Sequence, residues 1–208
     1  MYKYMITNLQ SFCNSSDMDL LFVSELSNTK MYAAEHDGVS PPLETKHPLW
    51  LQWRANKLND FAKKLYGSVK KMNPACIVSW APSIYPWSLE QYLQDWPTWL
   101  KEGYADLVIP QVYRYQFDSY AASLKAVEKQ VPDSLKHKIY PGILTSLGDG
   151  YRVDSLFFQK MISLNRTEGY NGEVLFYYET IKEAKNSIDM AAAVAILEFA
   201  IELQKGSL

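Results

Sequence analysis

From Pro48 onward the chain alternates helical patterns with short apolar segments, and this alternation restricts the fold more than any other sequence feature. Four apolar segments are typical of strands buried on both faces: 75–81, 106–113, 138–145 and 173–178. Apolar residues at helical spacing lie between them and on both sides. Because strands that alternate with helices pair in parallel through right-handed crossovers, the sequence predicts an α/β fold with a parallel sheet.

Capping and stop signals predict where the helices begin and end. A long helix opens at Pro48 and ends at Asn73. Ser88 is predicted as the N-cap of the next helix, since Gln91 three residues later completes a capping box. A restart of that helix is predicted near Asp95, which would cap the second piece. Further helices are predicted at 17–35, 117–131, 154–164 and from 182 or 188 to 203.

The repeat length favours a (β/α) barrel. Successive strand segments start roughly 30 residues apart, as in the units of that fold, but a closed barrel needs eight units and typically about 250 residues. Only four units are predicted here, so the fold class is α/β with a partial (β/α)₈ TIM barrel. The alternative is an open parallel α/β sheet, which would be complete at this length, although no strand is followed by its Gly-x-Gly-x-x-Gly phosphate turn.

Two regions are predicted. Residues 1–45 form an irregular or helical amino-terminal remnant with one short strand at 2–6, and residues 46–208 form the barrel part. A net charge of −2 disfavours a nucleic-acid partner. No apolar window is long enough for a membrane span, and the start of the chain does not match a signal peptide. Cysteines and histidines lack metal-ligand spacing, so no metal or cofactor is predicted.

Seven segments resemble, in order and in spacing, those of glycosyl hydrolase-like family 10, a family of bacterial proteins regarded as glycosidases. The matching segments are Glu35-His36-Asp37-Gly38 with Pro41-Pro42, Trp50-Leu51-Gln52-Trp53-Arg54-Ala55, Asn73-Pro74 through Ser79, Leu93-Gln94-Asp95-Trp96 with Trp99, Ile109-Pro110-Gln111-Val112-Tyr113-Arg114, Gly142-Ile143-Leu144 and Phe176-Tyr177-Tyr178-Glu179. The resemblance covers roughly residues 30 to 182 and implies a TIM barrel, of which this chain would supply strands five to eight.

The resemblance also implies what is missing. The fourth strand of the family ends in a pair of aspartates, and nothing in Met1 to Asp19 reproduces that strand. The chain is therefore expected to be truncated or rearranged at its amino end, to expose an unpaired barrel edge that favours self-association, and to lack one catalytic carboxylate. The family is often exported, whereas the localisation of this chain stays open.

Barrel enzymes bind substrate at the carboxyl ends of their strands. Glu179 directly follows an apolar strand and is the candidate catalytic residue, with a helix N-terminal glutamate as the structural alternative. Four neighbours are candidate substrate-binding residues with core packing as their alternative: Trp80, Gln111, Tyr113 and Tyr178. Asp149 is read as a turn residue rather than a catalyst.

These observations predict a glycoside hydrolase-like protein that acts on, or descends from an enzyme that acts on, a polysaccharide or oligosaccharide. Whether it is an active enzyme stays open, because glycoside hydrolysis needs two carboxyl groups and the chain supplies one candidate. Two alternatives remain: a non-catalytic carbohydrate-binding module, or an unrelated α/β protein in which the strand-end residues are incidental.

Overall fold

A computed structural model of the chain describes residues 18–147 and 150–176, with the backbone alone for residues 18–26. The described residues fall into two compact units, one up to Val108 and one from Ile109 onward. The predicted strand at 2–6 and the predicted last helix from 182 or 188 to 203 lie outside the described residues. The predicted boundary after residue 45 stays a prediction.

The described part of the first unit, residues 18–108, contains four helices and one pair of strands. Its elements are α1 (Met18–Glu35), α2 (Pro48–Met72), β1 (Ser79–Trp80), α3 (Trp87–Tyr92), α4 (Trp96–Lys101) and β2 (Leu107–Val108). β1 and β2 pair in parallel, with Ser79 opposite Leu107. The predicted order and the parallel pairing are therefore confirmed in this unit.

Helix α2 forms where Pro48 presets the first turn, and it ends at Asn73, whose backbone N–H still bonds to Val69. The buried side of α2 packs on two clusters of the same unit. Trp50 and Trp53 contact Tyr32 of α1. Leu51 and Ala55 of α2 pack against Leu89 of α3. Of the apolar residues at helical spacing in α2, Trp50 and Trp53 are buried as the pattern predicted, whereas Phe61 is exposed.

The predicted cap at Ser88 is wrong. Helix α3 begins two residues earlier than predicted, at Trp87, with Pro86 rather than Ser88 at the N-cap position. Ser88 is buried inside the helix, and its hydroxyl donates a 3.0 Å hydrogen bond to the carbonyl of Gln94. The restart at Asp95 is confirmed, since Asp95 is the N-cap residue of α4. Its carboxylate accepts a bond from the hydroxyl of Thr98 rather than from a backbone N–H.

The second unit repeats the pattern. Its elements are α5 (Phe117–Glu128), a 3₁₀ helix (Asp133–Lys138), β3 (Gly142–Leu144), α6 (Ser155–Thr167) and β4 (Val174–Phe176). β3 and β4 pair in parallel, with Gly142 opposite Val174. Gln111 forms a parallel bridge with Gly142 on the other side of β3. Three consecutive chain segments therefore lie side by side in sequence order.

Helices α5 and α6 pack together and build the core of this unit. Apolar residues from both helices are buried: Tyr120, Leu124 and Val127 of α5, and Phe158, Met161 and Ile162 of α6. The predicted cap of α6 is confirmed, because the carboxylate of Asp154 accepts a 2.8 Å hydrogen bond from the backbone N–H of Phe157.

The strands are shorter than the apolar segments that predicted them. Pro110 and Pro141 lack a backbone N–H, so the ladders cannot extend through these positions in the usual way. The described residues form a mixed α/β structure with two small parallel sheets and do not show a closed barrel. No helix among them combines the length and the apolar character that crossing a membrane requires.

Candidate functional site

The carboxyl ends of three parallel segments in the second unit bring together polar and aromatic side chains. Gln111 is aligned with Gly142 at the start of β3. Tyr113, two residues further, has its ring centroid 5.2 Å from that of Phe176, the last residue of β4, at an interplanar angle of 33°. The predicted site residue Tyr113 therefore lies beside the carboxyl end of β4, where a parallel α/β fold binds its ligands. Gln111 lies level with the first residue of β3 instead, two residues before Tyr113 in the chain.

Gly142 makes this approach of Tyr113 to the sheet feasible. A Cβ atom at position 142 would lie 3.1 Å from the carbonyl oxygen of Pro110 and 3.2 Å from Cε1 of Tyr113. Both distances are tight for a carbon atom, so a side chain here would displace the tyrosine ring or the neighbouring backbone. The glycine thus sets the position of the Tyr113 ring.

Burial controls the protonation of the two residues that follow Gln111 and Val112. Desolvation raises the pKa of Tyr113 to about 12, so its hydroxyl keeps its proton at neutral pH and can both donate and accept hydrogen bonds. Burial also lowers the pKa of Arg114, whose guanidinium donates a 2.7 Å hydrogen bond to the carbonyl of Tyr113. Arg114 nevertheless keeps its charge, because an arginine stays protonated at neutral pH even after such a shift.

The end of β3 is closed by hydrogen bonds to β4 and flanked by further aromatic rings. The backbone N–H and the hydroxyl of Thr145 both donate to the carbonyl of Phe176, each at 2.7 Å. Tyr115, which is 57% exposed, contacts the ring of Tyr151 edge to face at 4.8 Å. Aromatic faces beside amide, hydroxyl and guanidinium groups are suited to a ligand with flat apolar patches and many hydroxyls.

Carboxylates are absent from the described residues that follow the Gln111 bridge and β3, namely 112–115, 145–147 and 150–153. The residues after β4 lie outside the described part of the chain. The next described acid after β3, Asp154, caps helix α6. Asp149, Tyr178 and Glu179 lie outside the described residues, so the predicted roles of Tyr178 and Glu179 stay predictions. Within the described ranges, no group of three His, Cys, Asp or Glu side chains could hold a metal ion.

Trp80, the remaining predicted site residue, lies in the first unit at the end of β1. It is 6% exposed, its indole N–H donates a 2.9 Å bond to the carbonyl of Tyr104, and its ring lies 5.0 Å from that of Trp99. Both its polar atom and its ring therefore have partners inside the unit. These contacts favour core packing, and sugar binding by Trp80 stays a prediction.

The two earliest family-like segments contact each other in the first unit. The indole nitrogen of Trp53 donates a 2.8 Å bond to the carboxylate of Glu35, and Lys57 donates a second one at 2.6 Å. The bonds from Lys57 and then Trp53 hold the pKa of Glu35 below its usual value. Tyr32 stacks on His36 with ring centroids 3.8 Å apart. This cluster joins α1 to α2 and is structural.

Sequence reasoning missed Arg114, Tyr115, Tyr151 and Phe176 as residues of the site. Arg114 and Phe176 belong to two of the family-like segments, so the sequence did contain a signal for them. Tyr151 gave none, because it follows a Gly-Asp-Gly turn far from Tyr115 in the chain and only the fold brings the two rings together.

Comparison with known proteins places this geometry in context. A family model described as glycosyl hydrolase-like 10 matches residues 18–155, more than half of the chain. The structure of the PgaB (BpsB) glycoside hydrolase domain from Bordetella bronchiseptica is similar, with a TM-score of 0.58 at 16% sequence identity. The similarity covers 78% of this chain and 49% of that chain, so this chain spans about half the length of that domain. No curated protein matches the chain.

Proposed function

This chain belongs to the glycosyl hydrolase-like 10 family, and we propose that it binds a polysaccharide at the carboxyl ends of the parallel strands in its second unit. Glycosidases hold sugar rings through aromatic contacts and through hydrogen bonds to hydroxyl groups. The observation that carries the proposal is the contact of Tyr113 with Phe176, the last residue of β4, with Gln111 two residues before Tyr113 on the segment beside β3.

The proposed scaffold is a run of (β/α) units from a glycoside-hydrolase barrel. Within each unit of the structure, parallel neighbours follow the chain order: β1 lies beside β2, and the Gln111 segment, β3 and β4 lie side by side. A barrel keeps that order, whereas an open doubly wound sheet reverses it at a switch point. The similarity to half of a glycoside hydrolase domain supports the same assignment.

Binding is better supported than hydrolysis. Glycoside hydrolysis uses two carboxyl groups on either side of the scissile bond, one as acid and one as base or nucleophile. The described residues directly after β2 and β3 contain none, and the residues after β4 lie outside the described part of the chain. Loss of a single acid or base group typically costs about 10²- to 10⁴-fold in rate. We therefore expect the chain to bind sugar polymers and to cleave them slowly or not at all. Its predicted self-association through a barrel edge stays a prediction.

Calorimetric titration of the full chain with oligosaccharides tests the proposal. The panel contains neutral, amino and acidic sugars, and a reducing-end assay runs beside each titration. We expect saturable binding to at least one class without release of reducing ends. Gln111→Ala should weaken that binding, whereas Gln130→Ala, a matched change beyond the carboxyl end of α5, should leave it intact. Equal affinities for the two variants and the parent would contradict the placement of the site.

A second candidate function, slow glycoside hydrolysis, is favoured by one sequence feature. Glu179 follows the β4 segment after Phe176 and the two tyrosines Tyr177 and Tyr178. If Glu179 is the catalytic acid, Glu179→Gln abolishes reducing-end release while binding persists. Glu183→Gln, four residues later, serves as the control. Turnover that survives in Glu179→Gln excludes this role.

A further inference from the structure

Arg114 is a charged side chain with most of its hydrogen-bonding capacity unused. A guanidinium carries five N–H donors in a planar fork. In the described part of the chain, one group accepts from it, the carbonyl of Tyr113 at 2.7 Å. The side chain is only partly exposed, and burial has lowered its pKa. A cation in this environment normally has an anionic partner, because desolvation of an unpaired charge is unfavourable.

Arg166 of the same unit shows how this protein treats an arginine that is purely structural. Its two terminal nitrogens donate to the two carboxylate oxygens of Glu173 at 2.8 and 2.9 Å. The Glu173 side chain is 2% exposed, so the pair is completed inside the unit. Arg114 has no such pair with any carboxylate of residues 18–147 and 150–176. The contrast indicates that its partner comes from outside these residues.

Arg114 is adjacent in the chain to a residue of the proposed sugar site. It follows Tyr113 directly, and the Tyr113 ring lies against Phe176 at the end of β4. The described residues directly after β2 and β3 carry no carboxylate that would repel an anionic ligand. A guanidinium fork is geometrically matched to a carboxylate, which it binds through two parallel hydrogen bonds.

We propose that Arg114 binds the carboxylate of an acidic sugar residue, so that the polysaccharide recognised by this chain contains uronic acid or a sugar with an equivalent carboxyl group. The inference rests on the proposed polysaccharide site and narrows its substrate class. Neutral sugars would leave the Arg114 fork unpaired in the complex, and that cost selects against them.

Removal of the charge gives a stability readout that separates this role from a structural one. Because Arg114 has no ion-pair partner among the described residues, Arg114→Met should leave the melting temperature of the full chain unchanged or raise it. Arg166→Met is the matched control and should lower the melting temperature, because it leaves the Glu173 carboxylate buried and unpaired. A fall with Arg114→Met that disappears in a Glu179→Gln background would show that Arg114 pairs with Glu179, and would overturn the inference.

Binding is tested with pairs of oligosaccharides that differ only at the carboxyl group. Oligomers of polygalacturonate, alginate and hyaluronan are titrated calorimetrically, each beside its carboxyl-reduced counterpart. At least one acidic form should bind about tenfold or more tightly than its reduced form, which corresponds to one well-formed charged contact. Arg114→Met should remove that difference, Arg114→Lys should retain only part of it because the fork is lost, and added salt should diminish it.

The outcomes separate this inference from the proposed function. Equal binding of acidic and reduced forms, with Arg114→Met indistinguishable from the parent, overturns the inference and leaves polysaccharide binding standing. Absence of binding to every sugar in both panels overturns both. Preference for the acidic form that depends on Arg114 supports both together.

Discussion

The hydroxyl of Tyr120 on α5 donates a 2.8 Å hydrogen bond to the side-chain oxygen of Asn165 on α6, and both side chains are fully buried. The amide nitrogen of Asn165 in turn lies 3.4 Å from the carboxylate of Glu173, just before β4. Burial raises the pKa of Tyr120 far above its usual value, so this hydroxyl stays a donor throughout the physiological range. These two bonds link helices α5 and α6 to Glu173, the residue that precedes β4.

Tyr120→Phe is therefore expected to destabilise the protein. It leaves the Asn165 oxygen buried without its donor, which typically costs about 1–3 kcal/mol in the free energy of unfolding. Urea denaturation followed by circular dichroism measures the change. Tyr92→Phe, at a partly exposed tyrosine of α3, is the matched control and should change stability by less than about 0.5 kcal/mol. Similar effects of the two substitutions would show that the buried hydrogen bond contributes nothing to the free energy of unfolding.

Gly142→Ala should destabilise the protein by about 1–3 kcal/mol, since the added methyl group meets the Pro110 carbonyl and the Tyr113 ring at little more than 3 Å. It should also weaken polysaccharide binding, because the displaced ring is part of the site. Gly67→Ala is the control. Gly67 lies in α2 with nothing within 4 Å of its added Cβ, so that variant should gain about 0.5–1 kcal/mol. Thermal denaturation of both variants checks the signs.

Asp106 should make stability depend on acid pH. Burial raises the pKa of its carboxyl group, but hydrogen bonds from Lys70, from the backbone N–H of Val78 and from Tyr66 together outweigh burial and lower it. A carboxylate with a depressed folded-state pKa stabilises the protein above its unfolded pKa of about 3.9, and this contribution is lost as the pH falls through the folded value.

Asp106→Asn tests this linkage. At pH 7 the variant should be less stable by about 1.5–3 kcal/mol, the usual contribution of hydrogen bonds to a charged group. The gap to the parent should narrow as the pH is lowered from about 5 toward 2, where the parent also loses its charge. Asp60→Asn, on the exposed side of α2, is the control. A gap that stays constant between pH 7 and pH 2 would contradict the assignment.

Tyr113→Phe should weaken polysaccharide binding by about 5- to 10-fold, the equivalent of one neutral hydrogen bond, while folding is retained. Because burial raises the pKa of Tyr113 to about 12, the parent should bind with constant affinity between pH 7 and pH 10 as far as this hydroxyl is concerned. Calorimetric titration measures both effects. Tyr140→Phe, just before β3, is the control. If it weakens binding as much as Tyr113→Phe does, the proposed placement of the site at the strand ends is contradicted.

Helices were more predictable from the sequence than strands. The long helix from Pro48 was predicted to its last residues, because helix periodicity and proline positions are local properties of the chain. The strands proved to be two or three residues long where six to eight were predicted. Strand ends depend on which partner groups are in reach, and Pro110 and Pro141 limit those groups. The Ser88 cap failed for a similar reason, since its hydroxyl found the Gln94 carbonyl.

The candidate site was likewise predictable only in part. Gln111 and Tyr113 could be predicted, because strand ends follow from the alternation of elements and polar residues there are visible in the chain. Three features could not be predicted: the contact of Tyr113 with Phe176, the contact of Tyr115 with Tyr151, and the absence of an acid paired with Arg114 among the described residues. Each depends on residues that are far apart in the chain.

The sequence by itself determined the order of helices and strands, their parallel pairing and the family of the chain, because periodicity, turn residues and ordered segments are written along the chain. Only the tertiary structure decided which side chains share an environment. It buried Trp80 against Trp99, paired Arg166 with Glu173 and gave Arg114 no such pair among the residues that the structure describes. Desolvation and hydrogen bonding act between residues that folding brings together, and local sequence does not contain those distances.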